Sequence, residues 1–207
     1  MYKQSSARVR LLGTTACLFI VFLLAMIIMG SIGINGNYTH ANGDSGCFLY
    51  MTMDGKVPSF NSTYCQFPVI GAGIVSVFAV LFLGYWAAVV QRYDEFAPTI
   101  VSKIFMGFSV LLAVFAFSIC GELGIGLNIG CRSVTSGQGL SKCQSTVDSF
   151  QALNTAQVSA GLMGGFLLVA FTLELIQYKN LPEYDTDPYN TQEAYAHQNP
   201  STSEYQA

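Results

Sequence analysis

The chain has 207 residues and a net charge of −3, and 52% of its residues are hydrophobic whereas only 10% are charged. Soluble domains carry about 25% charged residues, so this composition excludes an ordinary water-soluble domain and makes the lipid bilayer the natural solvent. The sequence has no cluster of basic residues, and therefore lacks the electrostatic footprint of a nucleic-acid-binding protein.

Four charge-poor segments are each long enough to cross a bilayer, whose hydrocarbon core of about 30 Å takes about 20 helical residues. They cover residues 11–34, 69–90, 104–124 and 153–176. Backbone polar groups in lipid must be satisfied within the chain, so each segment is predicted to be a helix. The sequence therefore predicts an all-α membrane protein, in which residues 1–179 form an antiparallel bundle of four transmembrane helices.

The first segment has a second interpretation as a cleaved signal peptide, because Arg8 and Arg10 precede it. Its apolar stretch is longer than the 7–15 residues of a signal core, and it has no convincing small-residue cleavage site. We therefore interpret this segment as a membrane anchor.

Basic residues are distributed unevenly between the two sides of the predicted bundle. The side with both termini has the larger number: Lys3, Arg8, Arg10, Arg92, Lys103 and Lys179. The side with the two longer loops has Lys56, Arg132 and Lys142. The positive-inside rule therefore predicts that both termini are cytoplasmic and that the two longer loops are extracytoplasmic.

Four cysteines lie in these extracytoplasmic loops, Cys47 and Cys65 in the first and Cys131 and Cys143 in the second. An even number of cysteines on the oxidising side predicts disulfide bonds. Four cysteines allow three connectivities. We favour pairing within each loop, because each bridge then closes a short loop and contributes about 3 kcal/mol; pairing between the loops stays open.

The first outer loop also contains two matches to the glycosylation acceptor pattern, Asn37-Tyr38-Thr39 and Asn61-Ser62-Thr63. The sequence therefore predicts a glycoprotein modified at Asn61 or Asn37. Both acceptors lie on the side where the cysteines are predicted to be oxidised, so the two signals agree on the orientation of the chain.

Small residues in the fourth segment predict close helix packing, since residues four apart lie on one helix face and let backbones approach. The pairs are Ala160 with Gly164 and Gly161 with Gly165. Cys17 and Cys120 lie inside predicted spans and are expected to pack as small apolar residues.

Two acidic residues lie near the ends of predicted spans. Glu122 is expected at the outer interface, where contact with a partner or a loop backbone competes with simple solvation. Glu174 is expected near the inner end of the fourth span, where its carboxylate reaches the interface. The two carboxylates are at opposite ends and cannot form one acid site. His40 and His197 offer no metal-ligand spacing, so we predict no metal, no cofactor and no enzymatic activity.

Residues 180–207 are polar and have no apolar periodicity, which predicts a disordered cytoplasmic tail. Four tyrosines recur along it: Tyr184, Tyr189, Tyr195 and Tyr205. They are either incidental residues of a solvated tail or phosphorylation sites whose added charge changes partner binding.

Several motifs resemble the transmembrane protein 179 family. They are CFLY at residues 47–50, the Asn-Ser-Thr triplet, YCQF at 64–67, and GIGLNIGC at 124–131 with a further loop cysteine at 143. The resemblance extends over residues 46–178. It implies a multi-pass membrane protein and transfers no catalytic residues.

The paired loop cysteines, LNTAQVSAG at 153–161 and the tyrosine-containing tail are similar to synaptophysin and synaptogyrin, four-span proteins of secretory vesicles with both ends cytoplasmic. The tail lacks the long Gly-Tyr-Gln repeats of those proteins. Claudins and calcium-channel gamma subunits share the architecture. Their tryptophan signature before the first-loop cysteines is missing, because the only tryptophan is Trp86 in the second span.

These features predict a non-enzymatic accessory subunit that binds a larger membrane complex, such as an ion channel or transporter, and tunes its assembly, trafficking or gating. The alternative is a vesicle protein similar to synaptophysin, which self-associates as a homo-oligomer and organises cargo or lipid. A small channel or transporter is a third class. The expected membrane is the plasma membrane or that of a secretory or synaptic vesicle, and no nucleic-acid partner is expected.

Overall fold

The computed structural model describes residues 2–39, 43, 45–54, 57–59, 63–92, 99–135, 140–147 and 149–179. Within these ranges the helices are α1 (Tyr2–Asn35), α2 (Thr63–Arg92), α3 (Thr99–Val134), α4 (Leu140–Thr146) and α5 (Phe150–Lys179). The strands are β1 (Asn37–Thr39), β2 (Ser45–Cys47), β3 (Thr52–Asp54) and β4 (Val57–Ser59). The predicted disordered tail lies outside the described residues.

Four of these helices are long and apolar enough to cross a membrane. The candidate spans are Val9–Asn35, Thr63–Ala88, Ile100–Val134 and Phe150–Lys179, with mean hydropathies of 2.8, 2.3, 2.3 and 1.8. Each of the four predicted segments lies within one of the long helices. By helix length and composition, the chain is therefore a multi-pass membrane protein, as the sequence indicated.

The long helix α5 packs against both α1 and α3, and α1 also packs against α2. A Cβ atom on Gly13 of α1 would lie 3.1 Å from the side chain of Leu173 of α5. On α3, one on Gly124 would lie 2.7 Å from the side chain of Gln157, near the start of α5. The first turns of α1 therefore meet the last turns of α5, whereas the first turns of α5 meet the second half of α3.

An aromatic cluster joins α2 to α3. Phe105 of α3 lies at its centre, with ring centroids 6.0 Å from Phe78, 5.1 Å from Phe82 and 5.9 Å from Trp86 of α2. Phe105 and Trp86 are fully buried. Aromatic pairs of this kind contribute about 0.5–1.5 kcal/mol each beyond the area that they bury, so the cluster is a principal attachment between these two helices.

Helix α3 continues well past the predicted end of its span. Its 36 residues extend for about 54 Å at 1.5 Å per residue, which exceeds the hydrocarbon thickness of about 30 Å. The third span was predicted to end at residue 124, yet the glycine-rich stretch between that residue and Cys131 is helical. Glycine in a helix costs about 1 kcal/mol relative to alanine, and the packing of the first loop on these glycines offsets that cost.

The first loop contains two short antiparallel hairpins, which were not predicted from the sequence. Strand β1 pairs with β2 so that Asn37 faces Cys47, and β3 pairs with β4 so that Thr52 faces Ser59. Three-residue strands give little hydrophobic signal, which explains why sequence periodicity missed them. Between the hairpins lies the apolar stretch that covers the bundle.

Candidate functional site

Residues 47–51, here called the cap segment, are buried at one end of the bundle. Phe48, Leu49 and Met51 are fully buried, and Cys47 is 2% exposed. The Phe48 amide donates a hydrogen bond to the Gly36 carbonyl at the end of α1 (2.9 Å), and the Tyr50 amide donates to the Gly126 carbonyl of α3 (3.2 Å). Three apolar side chains thus enter the protein interior from a loop, while backbone hydrogen bonds hold that loop on two helices.

Two glycines of α3 provide the surface on which the cap segment lies. A Cβ atom added at Gly130 would lie 2.5 Å from the Phe48 carbonyl oxygen, and one added at Gly126 would lie 2.8 Å from the Tyr50 ring. Real Cβ atoms do not approach other heavy atoms so closely. Gly126 and Gly130 are four residues apart and therefore share one helix face, so α3 has a shallow groove that any larger side chain would fill.

Two disulfide bonds fasten this end of the molecule. Cys47–Cys65 joins the cap segment to the first turn of α2, with Cα atoms 5.8 Å apart, and Cys131–Cys143 joins the end of α3 to α4, with Cα atoms 5.4 Å apart. These are the two within-loop pairings that the sequence favoured. The bridges hold α2, α3 and α4 to the loops that connect them.

Glu122 lies beside the cap segment and is half-buried. The Tyr50 hydroxyl interacts electrostatically with the Glu122 carboxylate, and the Tyr50 ring packs on Tyr64 with centroids 4.3 Å apart. Burial, and then the negative charge of Glu122, raise the pKa of Tyr50 above its ordinary value. The sequence offered contact with a partner or with a loop backbone as roles for Glu122, and the structure instead places the Tyr50 side chain beside its carboxylate.

Replacing Tyr50 with phenylalanine is expected to lower the free energy of unfolding by about 1 kcal/mol at neutral pH, because the interaction of the Tyr50 hydroxyl with the Glu122 carboxylate is lost. The raised pKa means that this contribution is fully present below the ordinary tyrosine pKa of about 10 and is lost as pH rises above it. Thermal unfolding of both proteins in detergent across alkaline pH should therefore give curves that converge. A difference that stays constant through this range would contradict the assignment.

The predicted packing residues of α5 have different surroundings. Ala160 is fully buried, a Cβ on Gly161 would lie 3.4 Å from the Cys120 sulfur, and one on Gly164 would lie 3.0 Å from the Phe117 ring. Gly165 has nothing within 4 Å of the position of its Cβ. Helix α5 therefore approaches α3 at Gly161 and Gly164, while Gly165 faces open space within the described residues.

Leucine at Gly164 is expected to lower the free energy of unfolding by about 2 kcal/mol, because the larger side chain pushes the Phe117 ring out of its place. Leucine at the neighbouring Gly165 is the matched control and should leave stability unchanged. The comparison requires thermal unfolding of the two variants in the same detergent. Equal destabilisation by both would refute the packing face described here.

Glu174 is 1% exposed and lies in the interior of the bundle. The sequence predicted that its carboxylate reaches the interface, and that prediction is wrong. The Ser102 hydroxyl of α3 donates a hydrogen bond to Oε1 of Glu174 (2.5 Å), and the charge of Glu174 also acts on the Tyr85 hydroxyl of α2. The packing of α5 against α3 directs this side chain into the bundle. The residues next to Glu174 in the sequence are mostly apolar, so their pattern did not indicate which side of α5 is buried.

The remaining predicted residues divide into those that the structure describes and those outside it. Asn37 is the first residue of β1, whereas Asn61 and the four tail tyrosines lie outside the described residues. Cys17 is buried, and Cys120 is half-buried against Gly161. Among the described residues, no three His, Cys, Asp or Glu side chains are grouped closely enough to hold a metal ion.

Comparison with known proteins gave no match: no family model, no curated protein and no solved structure is similar to this chain.

Proposed function

We propose that the protein is a non-enzymatic accessory subunit that binds a larger membrane complex, such as an ion channel or transporter, and tunes its assembly, trafficking or gating. Its four long helices form an antiparallel bundle with both termini in the cytoplasm. The two disulfide-closed loops are extracytoplasmic, and residues 180–207 form a disordered tail. The protein acts in the plasma membrane or in the membrane of a secretory vesicle, by lateral contact with its partner.

The exposed apolar surface of the long helices is the observation that carries this proposal. Only 33% to 39% of the most apolar stretch of each span is buried inside the protein. On α3, Ile104 is 48% exposed, Phe108 52% and Leu111 62%. These positions are separated by three or four residues and lie on one helix face. Lipid or a second membrane protein covers this face, and its large apolar side chains suit contact with transmembrane helices.

The rigid cap supports the same proposal from the outer side. Two disulfides and the burial of the cap segment hold residues 45–51, Cys65, Cys131 and Cys143 in place, so a partner that contacts this described part of the outer side loses little conformational entropy on binding. Glu122 is half-buried beside this surface, and we propose that its carboxylate also contributes to the partner contact.

The experiment is purification of the full chain from cells in a mild detergent, followed by mass spectrometry. The proposal predicts recovery of one larger membrane protein in a fixed ratio to the chain, and weaker recovery with Glu122→Gln. The matched control for a surface change on α3 is Gly121→Ala, at a position with nothing within 4 Å of its Cβ. Recovery of the chain only as a homo-oligomer would contradict the accessory role and favour a self-associating vesicle protein.

A further inference from the structure

The buried carboxyl group of Glu174 on α5 interacts with hydroxyl groups from two other long helices. The Ser102 hydroxyl of α3 donates a hydrogen bond to Oε1 of Glu174. The Tyr85 hydroxyl of α2 interacts electrostatically with the same carboxyl group. Gln177 lies one turn further along α5 and so shares a face with Glu174. The site lies where the last turns of α5 meet the first turns of α3, near the end of the bundle opposite the cap segment.

Three oxygen atoms of this cluster are buried and have no hydrogen-bond partner among the described residues. They are Oε2 of Glu174, Oε1 of Gln177 and the hydroxyl oxygen of Tyr85. A buried oxygen without a partner costs about 1–3 kcal/mol, and a charged one costs more. Three such atoms, two of them one turn apart on α5 and the third on α2 in a tyrosine whose hydroxyl interacts electrostatically with Glu174, indicate a site that is built to bind a ligand.

The charge of Glu174 identifies the class of ligand. An isolated carboxylate away from water is strongly disfavoured unless a positive charge compensates it. Lys103 directs its ammonium group to the Tyr178 ring, 5.8 Å from the centroid, and the Nε atom of Arg10 has no hydrogen-bond partner among the described residues. The partner that the structure gives to the carboxyl group is Ser102, a neutral hydroxyl.

We propose that Glu174, Gln177, Tyr85 and Ser102 bind a small monovalent cation of the Na⁺ type. Carboxylate, amide and hydroxyl oxygens are the ligands that hard cations prefer. A single carboxylate matches a single positive charge, whereas Ca²⁺ sites commonly use several acidic groups. The cation neutralises the one charge and satisfies the oxygens that protein atoms leave unpaired. The site does not depend on the proposed accessory role, since all of its residues belong to one chain.

The test is thermal unfolding of the purified full chain in NaCl, KCl and choline chloride at equal ionic strength. A ligand that binds only the folded state stabilises it in proportion to the logarithm of its concentration. Tm is therefore expected to rise by about 3–5 °C for each tenfold increase in Na⁺ above its Kd. Choline, a quaternary ammonium ion much larger than Na⁺, should have no effect.

Variants distinguish this site from other effects of salt. Glu174→Gln removes the charge and keeps the shape, and should abolish the response to Na⁺; Tyr85→Phe, which removes one neutral ligand, should weaken it. If Glu174→Gln does not fold, the Tyr85→Phe protein and line broadening of the ²³Na resonance by the wild type still test the site. Equal Tm values in Na⁺ and choline would overturn the proposal and assign charge compensation to Arg10 or to a bound proton. A full Na⁺ response in Glu174→Gln would overturn it as well.

Discussion

Leucine at Gly130 is expected to detach the cap segment from α3 and to lower the free energy of unfolding by about 3 kcal/mol. The position of its Cβ is 2.5 Å from the backbone oxygen of Phe48. A clash with backbone cannot be relieved by rotating a side chain, so either the loop or the helix must move. Moving the loop withdraws the buried Phe48 and Leu49 from the interior, at a cost of about 1.5–3 kcal/mol for each side chain.

Two measurements check this prediction. Thermal unfolding in detergent gives the loss of stability, and the rate of proteolysis within the first loop gives the release of the cap segment. Gly121→Leu is the matched control, because Gly121 also lies on α3 and has nothing within 4 Å of its Cβ. If Gly130→Leu and Gly121→Leu unfold at the same temperature, the cap segment does not lie on α3 as described.

The second large effect is expected from removal of the Cys47–Cys65 bridge by replacing both cysteines with serine. The bridge closes a loop with a sequence separation of 18 residues, and its loss is expected to cost about 3 kcal/mol in the chain-entropy model. Cys47 is also 2% exposed, so the serine hydroxyl enters an apolar environment and adds to the cost.

The matched control is Cys120→Ser, which changes a free and half-buried cysteine by the same chemistry without breaking a bridge. A drop in Tm for the double variant that greatly exceeds the drop for the control would support the structural role of the bridge. Adding reductant should lower the Tm of the wild type by more than that of the double variant. The wild type loses both bridges, whereas the double variant loses only Cys131–Cys143. Identical Tm values for wild type and double variant would show that the bridge does not stabilise the fold.

The spanning helices and the cysteine pairs were accessible from sequence for a clear physical reason. A membrane span is identified by the absence of charged residues over about 20 positions, which is a local property of the sequence. Cys131 and Cys143 are separated by 12 residues, so their pairing is also nearly local. Neither prediction required knowledge of which helices are neighbours.

The two sites that matter most depend on contacts between distant parts of the chain. From the sequence alone, Gly130 is interpreted as part of a flexible loop. Its role is visible only once Phe48, more than eighty residues earlier in the chain, is known to pack on it. The spacing of Gly126 and Gly130 could have indicated a packing face, but not its partner. Glu174 is likewise interpreted from the sequence as an interfacial carboxylate. Its buried position becomes clear only when α3 is known to place Ser102 beside it. Sequence periodicity predicts which face of a helix is buried, but it does not predict which element packs against that face.

The proposed function requires that the two loops are extracytoplasmic and both termini cytoplasmic, and labelling of single introduced cysteines with a membrane-impermeant maleimide tests this orientation most directly. Ser145 in α4 and Lys179 at the end of α5 are both exposed, and each is replaced by cysteine in a chain with Cys17 and Cys120 changed to alanine. We predict that Ser145→Cys reacts in intact cells and that Lys179→Cys reacts only after permeabilisation. Reaction of Lys179→Cys in intact cells, with Ser145→Cys protected, would contradict the orientation and the proposed function with it.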